Sequence, residues 1–498
     1  MDKNSSTIAL VSIAADFRGV PDLTRPPSGL LYVGGALKKA GYDVRIFHIA
    51  EKEIDSCSGE IAALAPLCVG FSVFTGYPCY IAQKMSRKIK ELAPMSRIIW
   101  GGVHPSLSPD ECLNEQAVDF VVIGEGELTA VELANALQTG RDISQVRGIG
   151  YKNGKISFTT PREQIADLDE YSMDWSLVDP LRYVRSSSDY QRAMCFVTSR
   201  GCPFSCGFCY NQKFHKSKWR AHSAEFVIKK VQELQAATQI TRISFDDDYF
   251  MADQRRGFKI LEGLKNIGVI CDWLEVRLET ATVENMRRFS DLGVKTIFFG
   301  WESGSDRMLS LMNKRLTRSA ILAKCEILSK FPDIKYDASA IIGFPTEKKS
   351  EIFETVDTAL EISKILHTVN FNIGTYMPYP GTSLYELALS EGFSPPAKVQ
   401  DWKNYDIMSP NIRLDWLKWA GSHTHRLFFR IDKYSKFLDR GTYLSAGSSK
   451  LRTIVKKLLY HLALFRLKNK VFIFPLELYF QSWWVKRNIV KDLARFKK

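Results

Sequence analysis

The sequence predicts an α/β protein in which two strand–helix series follow one another and a helical, basic tail closes the chain. Three observations carry this prediction. Short apolar strands alternate with helices over residues 7–137, and the alternation resumes near 194 and runs through about six further units to 376. The length of 498 residues is about three times the roughly 150 of an average domain. Alternation of this kind implies parallel sheets, so the first series reads as a doubly wound sheet and the second as a partial (β/α)6 barrel.

The elements follow in order. Residues 7–13 are an apolar strand, a Gly- and Pro-containing loop covers 18–29, a helix at 30–40 stops at Gly41, and a second strand takes 43–49. Strands at 68–74, 97–100 and 120–123 come next, with helices at 79–92 and 128–137. Open sheets bind ligands beyond the carboxyl ends of their strands. Those ends carry Ser72, Gly101-Gly102-Val103-His104 and Gly124-Glu125-Gly126-Glu127. A hairpin at 149–158, turning at Asn153-Gly154, and a stretch rich in Pro, Asp and Trp up to Tyr183 read as a linker. The second series places strands at 195–198, 242–245, 273–277, 296–300, 335–342 and 368–376, and helices at 224–237, 255–267, 283–292, 317–331 and 349–363. Its catalytic groups belong at the carboxyl ends of those strands.

Composition narrows the class further. A chain that is 45% hydrophobic and 25% charged is neither disordered nor collagen-like. No stretch reaches the roughly 18 apolar residues of a spanning helix, and the start of the chain has no cationic flank or cleavage signal, so a cytoplasmic protein is expected. The charge is uneven. From Arg440 onward, fourteen Lys and Arg face only Glu477 and Asp492, so this tail carries +12 of the net +13. The same segment holds Leu458, Leu459, Leu462, Phe465, Phe472, Phe474, Tyr479, Phe480, Trp483 and Trp484. Cations mixed with large apolar residues suit an anionic membrane surface on the inner face, while a helix simply packing on the body remains the plain alternative. Basic character confined to a tail, away from any catalytic groove, gives no expectation of nucleic-acid binding.

Ten cysteines are too sparse for a disulfide framework, yet Cys202, Cys206 and Cys209 crowd into eight positions directly after a strand. Three thiolates on one loop can hold three irons of a cubane iron–sulfur cluster and leave the fourth iron open for chemistry. Zinc, with His215 as a fourth ligand, stays open as a second reading.

The run Cys202-Pro203-Phe204-Ser205-Cys206-Gly207-Phe208-Cys209, with its CxxxCxxC spacing and an aromatic before the last cysteine, resembles the radical S-adenosylmethionine superfamily. The preceding sheet is similar to the cobalamin-binding domain that one branch of it carries. The resemblance covers roughly residues 5–395 and implies a [4Fe-4S] cluster on the three cysteines whose free iron binds S-adenosylmethionine and cleaves it to a 5'-deoxyadenosyl radical. It also implies S-adenosylmethionine contacts from Phe208, from Asp246 and Asp248 towards the ammonium, and from Arg277 towards the carboxylate. Glu302-Ser303 would lie near the ribose and Gly343 near the adenine. For cobalamin it implies Ser72, Gly101, Gly102, His104, Gly124, Glu125 and Gly126. Asp16-Phe17-Arg18-Gly19 stands where many cobalamin proteins carry a DxHxxG histidine, so no lower axial imidazole is expected there.

The implied organisation is a cobalamin-binding domain at 1–145, a linker at 146–188, a radical barrel at 189–395, a helical extension at 396–440 and the amphipathic tail at 441–498. The implied activity is methylation of an unactivated carbon in a small-molecule or lipid-like substrate, with flavodoxin or ferredoxin as electron donor. Cyclisation or ring rearrangement, as in the anaerobic magnesium-protoporphyrin ester cyclase, is the alternative. A transfer-RNA methylthiotransferase fits less well because Cys57, Cys68, Cys79 and Cys112 form no second cluster motif. A non-catalytic cobalamin sensor would have no use for the three thiols.

Overall fold

The computed structural model describes residues 6–14, 23–185, 192–405, 414, 416–444, 450–473, 475 and 477–478. The chain forms two compact units. The first comprises Met1–Glu275, Leu292–Val294 and Met377–Lys418, the second Val276–Asp291, Lys295–Tyr376 and Trp419–Lys498.

In the first unit, β1 (Thr7–Ile13), β2 (Asp43–Ile49), β3 (Cys68–Ser72), β4 (Arg97–Gly101) and β5 (Phe120–Val122) run parallel in the order β2–β1–β3–β4–β5. The strands are apolar on both faces because both faces are covered. Ala9, Val11, Val69 and Phe71 pack with Ile81, Met85 and Ile89 of the helix Tyr77–Leu92, whereas Ile8, Leu10 and Cys68 pack with Leu30 and Leu37 of the helix Ser28–Lys39 and Ala134 of the helix Glu127–Thr139. This is the doubly wound sheet expected from the alternation.

The hairpin does more than link. Strands β6 (Ile149–Asn153) and β7 (Lys155–Phe158), joined at Gly154 with φ +70°, continue the same sheet, β6 pairing antiparallel with β5. Ile149 and Tyr151 pack with Phe120, Val122 and Leu133, and that apolar contact draws the hairpin onto the sheet edge. A helix Val103–Leu107, with Pro105 inside it, also follows β4 at once.

The same unit holds β8 (Ala193–Phe196), a two-residue ribbon of β9 (Ser199–Arg200) with β10 (Arg220–Ala221), and then β11 (Arg242–Phe245) and β12 (Ile270–Val276). β8, β11 and β12 run parallel, with the helices Ala224–Thr238 and Gln254–Asn266 between them. In the second unit β13 (Thr296–Glu302), β14 (Lys335–Ile342) and β15 (Val369–Thr375) are parallel and alternate with the helices Arg318–Leu328 and Lys349–Ile365. The register of β13 slips between Gly300 and Glu302, a bulge that turns the strand end.

Two later helices, Ser422–Ser435 and Lys450–Asn469, complete the second unit as described. No helix among the described residues is long and apolar enough to cross a membrane. Asp16 to Gly19, and Phe474, Tyr479, Phe480, Trp483 and Trp484 of the tail, lie outside the described residues.

Candidate functional site

The cysteine loop begins where β9 ends. Gly201 takes φ +80°, and a Cβ there would collide with the Lys218 carbonyl oxygen and lie 2.8 Å from His215 Cβ, so only glycine fits. Cys202, Cys206 and Cys209 follow, none of them in a disulfide, Cys206 buried and the other two half-buried. The Cys209 amide donates to the Cys206 carbonyl at 3.0 Å, and Leu384 N donates to the Gly207 carbonyl at 3.0 Å. Asp248 brackets the loop from both sides, accepting from Gly201 N at 3.0 Å and from the Tyr210 hydroxyl at 3.1 Å. Phe208 is half-buried within the loop. Burial pushes the Cys209 thiol up to about 12, a penalty that coordination to iron would reverse. Among the described residues no three His, Cys, Asp or Glu groups gather round a single ion position. Thiols spread over eight residues suit separate irons of one cluster. His215, the candidate zinc ligand, is instead buried edge-on against Phe214 at 4.7 Å.

The three consecutive aspartates after β11 do different things because strand pleating turns neighbours to opposite sides. Asp246 faces outward, 3.5 Å from Arg25. Asp247, which the sequence did not single out, turns inward and is fully enclosed. Its Oδ1 accepts from Thr198 N at 3.0 Å, Thr198 Oγ1 at 2.9 Å and Ser199 Oγ at 2.5 Å, which pins the strand end that leads into the cysteine loop. Burial nevertheless pushes its pKa up to about 6.

At the carboxyl ends of the first sheet, the loops after β4 and β5 are tied by Ser106. Its hydroxyl donates to Gly102 O at 2.7 Å and accepts from Gly124 N at 2.9 Å. Gly102 has φ +97°, and a Cβ there would sit 3.1 Å from Val73 N and O. A Cβ on Gly124 would meet no atom within 4 Å, so that loop opens onto free space. Ser72 and Gly101 end adjacent paired strands, and a Cβ on Gly126 would touch Val33. A backbone rim with this room fits a bulky planar ligand.

His104 lies elsewhere. It has no accessible surface, its Nδ1 is 3.3 Å from Thr75 Oγ1, and its ring stands edge-on to Trp402 at 5.1 Å. Burial lowers its pKa to about 3, so the ring is neutral. It faces the interior and not the open rim.

Glu125 also serves the framework. Its carboxylate takes Arg220 at 2.9 Å and Arg200 at 2.8 Å, and accepts from Ile165 N at 2.7 Å. Burial alone would raise its pKa, but Arg220 and Arg200 outweigh burial and hold the carboxyl below the usual range. Arg200 also donates to Glu127 at 2.6 Å and lies over the Tyr32 ring at 4.7 Å. The Tyr32 hydroxyl meets His222 Nε2 at 2.9 Å. This charged knot joins the loop after β5 to the residue two before Cys202. Sequence reasoning missed Arg200 and Arg220, whose partners lie 75 and 95 positions away, and only the abutment of Arg200 on Gly201-Cys202 hinted at a role.

The other residues expected to bind S-adenosylmethionine lie in the second unit. Arg277 donates to Lys314 O at 3.0 Å and to Glu279 at 2.6 Å, and Lys314 Nζ pairs with Glu302 at 2.7 Å. Two strand-end groups, Arg277 and Glu302, are thus joined through Lys314. Glu302 holds φ +61° at the β13 bulge, a strained geometry for a non-glycine residue. Ser303 is fully buried, with its hydroxyl 3.2 Å from Thr355 Oγ1, so its side chain shapes the turn. Gly343 turns at φ +87°, and its N donates to Glu347 Oε2 at 2.5 Å, joined by Phe344 N at 3.1 Å. The carboxyl oxygens of Glu347 are covered although its stem reaches the surface, and burial pushes its pKa up to about 8.

Residues 18–134 match the family model of the B12 binding domain and residues 196–359 that of the radical SAM superfamily. An uncharacterised methyltransferase of Pyrococcus horikoshii is 31% identical over 402 residues, covering 78% of this chain and 84% of that protein. The anaerobic magnesium-protoporphyrin IX monomethyl ester cyclase of Rubrivivax gelatinosus is 26% identical over 413 residues, 78% of this chain and 70% of that one. The solved radical S-adenosylmethionine methyltransferase TsrM of Kitasatospora setae, with cobalamin and a [4Fe-4S] cluster bound, superposes with a TM-score of 0.65 at 15% identity over 92% of this chain and 99% of that one, and so shares the fold. A B12-binding sheet followed by a radical SAM region defines a class of enzyme. The chain belongs to the cobalamin-binding radical S-adenosylmethionine family, in the branch that includes methyltransferases and the ester cyclase. Its cofactors are a [4Fe-4S] cluster, S-adenosylmethionine and cobalamin.

Two outcomes follow from the charge pattern. Glu125→Ala leaves Arg220 and half of Arg200 buried without their counter-charge, and should cost about 3 kcal/mol in denaturant unfolding; a loss below about 1 kcal/mol would mean the knot organises nothing. Glu347 is protonated in the folded chain at neutral pH and ionised when unfolded. Its contribution is therefore complete below pH 4.5 and declines by up to about 1.4 kcal/mol per pH unit until about pH 8. Glu347→Gln should remove that slope from the pH dependence of unfolding, and parallel curves for the two proteins would refute the assignment.

Proposed function

We propose that the chain is a cobalamin-dependent methyltransferase acting on an unactivated carbon of a small-molecule or lipid-like substrate, with Cys202, Cys206 and Cys209 holding the cluster. The carrying observation is that the thiol-bearing loop and the open backbone rim at Gly102 and Gly124 lie in one compact unit, joined by the Glu125–Arg200 pair. When bound, the cofactors supply homolytic cleavage of S-adenosylmethionine and transfer of a methyl group.

The protein's own part is to hold and orient. Gly201 and Asp248 fix the start of the loop that bears the three sulfurs. Asp246 and Asp248 offer acceptors for the methionine ammonium, and Phe208 of the cysteine loop offers an apolar contact. Arg277 offers a planar fork for the carboxylate, while Glu302, Ser303 and Gly343 shape the ribose and adenine contacts. Ser72, Gly101, Gly102, Gly124 and Gly126 form the cobalamin rim. His104 and Glu125 act behind that rim, as a buried prop and as the clamp on Arg200. An external flavodoxin or ferredoxin supplies the electron.

The 26% identity to the ester cyclase over most of the chain supports cyclisation as the second reading.

Anaerobic reconstitution tests the assignment. About four irons and four sulfides per chain, with cleavage of S-adenosylmethionine to 5'-deoxyadenosine, are expected. The triple change of Cys202, Cys206 and Cys209 to Ala should abolish both while leaving corrin absorbance in place; iron and sulfide retained by that variant would overturn the ligand set. With methyl-deuterated S-adenosylmethionine, label carried into product marks methylation, and a product without label marks the cyclase.

A further inference from the structure

We propose that the outer face of the helix Lys450–Asn469 docks on an anionic lipid bilayer. The helix carries six Lys and Arg and no acid in twenty residues. Its inner face is committed to the protein: Tyr460, Ala463 and Leu467 are buried, and beyond its end Lys470 pairs with Asp357. Arg466 donates to the Ile473 carbonyl at 2.7 Å and pairs with Glu477. Those contacts fix which side faces outward.

That outward side is apolar and cationic at once. Ile454 is 62% exposed, Leu458 63% and Phe465 57%, at spacings of four and seven that place them on one stripe, and Ile473 just past the helix is 65% exposed. Lys457, His461 and Lys468 are exposed along the same stripe. Large exposed apolar residues elsewhere are scattered along the chain, as on most soluble surfaces.

The mixture selects its partner. A nucleic acid would satisfy the lysines but press Ile454, Leu458 and Phe465 against phosphates and sugars. A bilayer interface accepts both, with apolar side chains entering the acyl boundary and lysines meeting anionic headgroups. Lys457 and Lys468, near the middle and the end of the helix on that same side, hold it in the interface plane. This inference is independent of the cofactor chemistry, since no residue of the stripe belongs to the proposed cluster or cofactor contacts.

Flotation of the full-length holoenzyme on a density gradient tests it, using phosphatidylcholine vesicles with and without phosphatidylglycerol. The protein should float with the phosphatidylglycerol vesicles and remain below with pure phosphatidylcholine. Both the triple variant Ile454→Asp, Leu458→Asp, Phe465→Asp and the double variant Lys457→Glu, Lys468→Glu should lower the bound fraction about tenfold while preserving 5'-deoxyadenosine formation. A wild-type protein that fails to float, or variants that float undiminished, would overturn the proposal. So would flotation seen only after removal of residues 479–498, which would show that the chain itself covers the face, or a dimer that the triple variant converts to monomer.

Discussion

The first unit depends on a desolvated ion pair. Glu125 stands on the loop after β5, and Arg200 stands two residues before the first cysteine. Taking either charge out of water alone is costly, so each holds the other in place, and Arg220, Glu127 and Tyr32 complete the surroundings. Guanidinium groups suit the task because their planar forks reach two carboxylates at fixed angles. The result is that a loop able to carry iron and a backbone rim able to carry a corrin share one rigid reference.

The aspartate run shows how few residues can serve several ends. Asp247 turns inward to fasten Thr198 and Ser199, Asp248 accepts from Gly201 N in the cysteine loop, and Asp246 faces Arg25. The three carboxylates thus have three different settings, although all three look alike in the sequence.

Much of the architecture was legible because apolar periodicity reports local structure. Strands at 7–13, 43–49, 242–245 and 335–342 were read with the observed bounds. The helix Ile54–Ala63 escaped because Ser56, Ser58 and Gly59 weaken its propensity, and packing of Ile54 and Ile61 decides it instead. The hairpin looked like a connector because nothing local says that Tyr151 will meet Phe120. The thiol motif was plain on the page, being contiguous. Contacts between Glu125 and Arg220, or between His104 and Trp402, join residues far apart in sequence, and periodicity carries no trace of them. For the same reason the sequence gives no hint that His104 meets Trp402 or that Glu125 holds Arg200 and Arg220.

The added hairpin also bears on how the protein survives at high concentration. An open sheet invites other chains to extend it along its rims. Here one rim is β7, only four residues long and opening with Lys155, and the other is β2, where the exposed Asp43 and Arg45 alternate with inward apolar residues. A short rim on one side and a charged one on the other give an incoming strand little to pair with, which guards the molecule against aggregation through its sheet edges.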